Sequence, residues 1–90
     1  MQALMSPASA ETLALKALGW LVNLPDALDR FMSGTGAGHG DLRAGMADPQ
    51  FLCSVVDFLL GNEALLTGFC EDEGIKPQFV HQARHALLEA

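Results

Sequence analysis

Leu13, Ala17, Trp20, Leu21 and Leu24 recur at three- and four-residue intervals, the period that lays apolar side chains along one face of a helix. With Ser9 as a cap and Glu11 in the first turn, the spacing predicts a helix over residues 10–22. Proline is tolerated in a first helical turn and not inside a helix. Pro25 therefore opens a second helix, with Leu28, Phe31 and Met32 on one side, and it stops where the glycines of SGTGAGHGDL, residues 33–42, begin. A short third helix follows at about 40–46. Asp48-Pro49 then pairs a capping carboxylate with a proline at the first helical position. Phe51, Leu52, Val55, Val56, Leu59 and Leu60 make this fourth helix apolar around most of its circumference, which places it at the centre. Asn62 caps a fifth helix carrying Leu65, Leu66 and Phe69, and Gly74 ends it. Lys76-Pro77 starts a sixth, with Phe79, Val80, Ala83 and Leu87 along one side. No strand signal competes. The expectation is an all-α, compact single domain of five to six short helices over residues 10–90, preceded by a flexible segment over 1–9.

An offset of 38 residues superposes the two halves of this pattern. Leu21 falls on Leu59, Leu28 on Leu66, Phe31 on Phe69 and Gly36 on Gly74, while Trp20 meets Phe58, Leu18 meets Val56 and Leu42 meets Val80. The match predicts two pseudo-repeated three-helix units, about 10–46 and 49–88, each unable to bury its apolar face alone. Helical periodicity by itself also produces such coincidences. The shared glycine after the second helix of each unit is the stronger part of the match.

Ninety residues, half of them apolar, supply one core. Five Lys plus Arg against eleven Asp plus Glu give a net charge of −6, which disfavours nucleic acid and anionic lipid and makes a basic partner electrostatically easier. Cys53 and Cys70 lie inside apolar helical patterns and read as buried, unpaired thiols. The N-terminal stretch has no basic residue before Lys16 and no apolar run of export-signal length. Asp57 and Asn62 interrupt the longest apolar stretch, so neither export nor membrane insertion is expected, and the cytoplasm is the expected location.

Candidate chemistry centres on the glycine-rich loop. Gly36 ends a helix, as Gly74 does, and a glycine in the left-handed conformation satisfies the last helical carbonyls there. The functional alternative is that GAGHGDL resembles the helix-hairpin-helix motif, in which backbone N–H groups bind a nucleic-acid phosphate. On that reading Gly36, Ala37, Gly38, Gly40 and Arg43 form a candidate anion-binding loop. Asp41 near the usual basic position, Gly74-Ile75-Lys76 without a second glycine, and the net charge of −6 count against it. Such a site would need Arg30, Arg43, Lys16 or Lys76 gathered around residues 36–40. His81 and His85 project from one side of the last helix, outside its apolar stripe, and read as solvated. With Cys53, Cys70 and His39 they do not make a zinc spacing, so no metal is expected. Glu71, Asp72 and Glu73 read as acidic surface opposing a helix dipole. No nucleophile has a histidine fixed beside it by the pattern, and no phosphate-loop or dinucleotide fingerprint occurs. An enzyme and a cofactor are therefore not expected. The class left is a small helical module that binds another protein or itself, with weak phosphate binding as the alternative.

The run from Asp41 to Arg84, together with ETLALKALGWL, resembles a family of small alphaproteobacterial proteins known only as a domain of unknown function. Ala17, Trp20, Leu21, Gly36, Asp41, Leu42, Arg43, Asp48, Pro49, Phe51 and Leu52 carry the resemblance. So do Asp57, Phe58, Leu59, Leu60, Glu63, Leu65, Leu66, Phe69, Gly74, Pro77, Val80 and Arg84. It implies a helical cytosolic bacterial protein with no known catalytic or cofactor site. Gly40 departs from the family, which usually has an acidic or polar helix former there, and weakens the third helix by about 1 kcal/mol.

Overall fold

Ser6-Pro7 is the same start signal as Asp48-Pro49, a capping oxygen followed by a proline at the first helical position. In the computed structural model, which describes residues 5–35 and 44–88, the Ser6 hydroxyl oxygen accepts from the Ser9 N–H at 3.1 Å. Helix α1 accordingly runs Pro7–Val22. The expected start at residue 10, with Ser9 as cap and Glu11 in the first turn, is corrected: Ser6 is the cap and no acidic residue lies in the first turn. Residues 7–9 belong to the helix because cap and proline set a first turn wherever the apolar period begins.

The remaining helices are α2 Pro25–Thr35, α3 Pro49–Leu60, α4 Glu63–Glu73 and α5 Pro77–Leu88, and the described residues contain no strand. The expected short helix over 40–46 falls largely on residues 36–43, which lie outside the described residues; 44 and 45 are helical, and a turn leads to Asp48. Asp48 accepts from the Gln50 N–H at 3.0 Å and Asn62 from the Leu65 N–H at 3.2 Å. Gly74 takes φ +66°. That left-handed turn lets the Ile75 N–H reach the Cys70 carbonyl at 3.0 Å while the Ile75 side chain packs back on the core.

α3 packs on each of the other four helices, and its Val55, Val56 and Leu59 are fully buried. Most of its apolar surface thus finds cover, with Phe51, Phe58 and Leu60 left half-buried. α5 lies across both α1 and α3, burying Val80, Ala83, Ala86 and Leu87 and leaving His81 and His85 exposed. Cys53 and Cys70 are buried and not joined. The radius of gyration is 12.2 Å, close to the roughly 12 Å of a compact domain of this length. No single helix among the described residues is long and apolar enough to cross a membrane.

The 38-residue offset has a structural counterpart. α2 and α4 are displaced by 38 residues at both ends, and α1 packs on α2 as α3 packs on α4. Leu21 and Leu59 are both fully buried, as are, to within 1 %, Phe31 and Phe69. Ring contacts repeat reciprocally between the halves: Trp20 meets Phe69 edge-on at 5.7 Å, and Phe58 meets Phe31 edge-on at 5.4 Å. Each half contributes its phenylalanine on α2 or α4 to the aromatic residue of the other half's longer helix. The third pairing, Leu42 with Val80, involves a residue outside the described ones.

Candidate groove between α2 and α3

The last two turns of α2 and the middle of α3 leave a surface groove of about 350 Å³, lined by Arg30, Phe31, Gly34, Ser54, Asp57 and Phe58. Its volume lies at the lower end of the range for small-molecule and side-chain pockets. Phe31 forms the deep wall, buried and held by edge-to-face contacts with Phe58 and, at 5.7 Å, with Phe51. Such contacts fix ring orientation, so the apolar surface is preformed. Gly34 opens the α2 side: a methyl group there would touch nothing within 4 Å.

Polar groups stand at the rim. Arg30 is exposed and has no hydrogen-bond or ion-pair partner among the described residues, although Asp26 and Asp29 are on the same helix. Asp57 accepts a hydrogen bond from Arg84 Nε and forms an ion pair with it across α3 and α5. Ser54 spends its proton on the Gln50 carbonyl at 3.1 Å, which leaves its oxygen to accept. One unpaired guanidinium, one neutralised carboxylate and an aromatic wall can bind an apolar group that carries an acid. They offer no nucleophile and no proton donor held against a base.

Other grooves carry less. One lies against Asp48, Gln50, Cys53, Leu87 and Leu88, but its carboxylate is engaged as the α3 cap and its thiol is held protonated: burial and then Asp57 push Cys53 above the ordinary value, with Arg84 opposing. Another lies between the start of α1 and Ile75 and Phe79, with Met5 and Leu13 as further apolar walls and Ser9, Thr12 and Lys16 as its polar groups.

The chain belongs to the DUF3572 family. The family model, described as a protein of unknown function, matches residues 7–90, and its first residue is the first residue of α1. No curated protein and no solved structure matches the chain.

Gly36, Ala37, Gly38, Gly40 and Arg43 of the candidate anion-binding loop, with His39 and Asp41, lie outside the described residues. Of the cations that loop would need, Arg30 borders the α2–α3 groove, whereas Lys16 borders a different one. No group of three or more His, Cys, Asp or Glu among the described residues is placed to hold a metal. In the acidic run 71–73, read from the sequence as acidic surface, Asp72 accepts from the Trp20 indole N–H at 2.7 Å. The Asp57–Arg84 pair and the joint placement of Arg30 with Ser54 escaped the sequence, because their members sit on different helices. The 38-residue offset was the one signal that could have found the groove, since it sets Phe58 against the larger Trp20 and Gly34 against Asp72.

Proposed function

We propose that this domain is a non-enzymatic interaction module that docks another protein in the groove between α2 and α3. The observation that carries the reading is the preformed aromatic wall of Phe31 and Phe58 beside Arg30, a cation without a partner among the described residues. Interfaces are built on such combinations, with arginine and a central apolar pocket dominating the binding energy. The net charge of −6 disfavours nucleic acid and a membrane surface as the partner. Cytoplasmic location and an alphaproteobacterial source belong to the same proposal and are supported by the sequence resemblance.

Gly34→Leu tests it. Gly34 lies in α2 with open space before it, so leucine fills the groove without disturbing the helix. The wild-type chain retains a stoichiometric protein from native lysate and the variant, equally folded by circular dichroism, loses it. Capture unaffected by Gly34→Leu removes the groove from the reading. Oligomerisation of the purified chain that Gly34→Leu abolishes, seen by light scattering, would make the partner a second copy.

A further inference from the structure

The open groove and the Trp20 contact are the same place in the two halves. Adding 38 residues takes Phe31 to Phe69, Arg30 to Gly68 and Gly34 to Asp72, and subtracting 38 takes Phe58 to Trp20. In one half an indole fills the position. It lies against Gly68, where a Cβ would stand 3.2 Å from the ring, and donates its N–H to Asp72 at 2.7 Å. In the other half the aromatic residue is the smaller Phe58, glycine replaces the aspartate, and about 350 Å³ stays open. Among the described residues, the fold therefore closes this position from within on one side and leaves it unfilled on the other, with Arg30 standing where Gly68 gives way to the ring.

We propose that the α2–α3 groove receives an aromatic side chain of a partner polypeptide, adjacent in that partner's sequence to a carboxylate that binds Arg30. The proposal rests on the docking reading above and gives it a chemistry. An aromatic ring meets Phe31 and Phe58 edge-on, as Trp20 meets Phe69. The carboxylate matches the planar guanidinium, which presents paired donors. Asp57 does not repel it strongly, because Arg84 already neutralises that rim. On a chain of net charge −6, this groove draws an acid where the surface at large repels one, and the contrast confers specificity.

The test is a nitrogen-15 NMR titration of the full chain with acetyl-Gly-Trp-Glu-Gly-amide and its Trp-Lys and Ala-Glu counterparts. The Trp-Glu peptide shifts the Gly34 and Ser54 amides and binds up to about fivefold more tightly than the Trp-Lys peptide, an increment in keeping with one exposed charge pair. The Ala-Glu peptide leaves both amides unmoved. Arg30→Gln brings the two tryptophan peptides to equal affinity, and Gly34→Asp, which restores the carboxylate of the filled half and engages Arg30 from within, abolishes the Glu preference. Absence of shifts at Gly34 and Ser54, equal affinity on the wild-type chain, or a Glu preference that survives Arg30→Gln overturns the proposal. If lysate capture still depends on Gly34 while the peptides show no acid preference, the partner chemistry fails and the docking reading stands. Loss of both leaves neither.

Discussion

Cys53 and Cys70 are residues whose surroundings set their chemistry. Burial raises both thiols above the ordinary value of 9.0; at Cys53 the nearby Asp57 carboxylate adds to the rise and Arg84 opposes it. The folded state thus keeps a proton that the unfolded chain gives up above pH 9, so the stabilisation is complete below that pH and is lost as pH rises through the folded values. Urea midpoints measured from pH 8 to 10.5 should fall for the wild-type chain and fall less steeply for Cys53→Ala. A Cys53→Ala profile as steep as the wild type's removes the thiol from the account. The same protonation makes both cysteines slow to alkylate in the native protein.

Among the helices, beginnings and ends are set by a few residues that do no packing. Ser6, Asp48 and Asn62 each supply a side-chain oxygen to a first-turn N–H, and Pro7 and Pro49 follow two of them. Gly74 closes α4 with φ +66°, a conformation that charges any other L residue roughly 1–2 kcal/mol. Gly34 is the opposite case, a glycine in the last turn of α2 with nothing against it. Gly74→Ala should therefore lower the urea-derived stability by about 1 kcal/mol or more, whereas Gly34→Ala should raise it by up to about 1 kcal/mol through helix propensity. Equal shifts of the same sign would contradict this assignment of the two glycines.

For the molecule as a whole, the reciprocal ring contacts join the two halves, while the ion pair joins α3 to α5. Asp57 and Arg84 side chains are each 46 % exposed, so solvent screens their attraction. A double-mutant cycle with Asp57→Asn and Arg84→Gln, read by urea unfolding, should give a coupling below about 1 kcal/mol. A coupling well above that value would mean that the pair organises the fold. The small expected value agrees with a core that contains no buried polar or charged side chain among the described residues. Helix packing then rests on burial.

By itself the sequence determined the class of the fold, the central place of α3, the glycine closure of α4, the buried thiols and the 38-residue correspondence. Each follows from periodicity, capping chemistry or composition, which act over a few residues or by simple repetition. At Ser6-Pro7 the apolar period does not locate the helix start, because cap and proline stand ahead of it. Only the tertiary structure decided that Trp20 bonds Asp72, 52 positions away, and that Asp57 pairs with Arg84, 27 positions away. It alone showed that one of two equivalent positions is filled and the other open. Such proximities depend on how helices cross and on whether an indole or a phenyl ring fills the gap, and no local pattern carries that geometry.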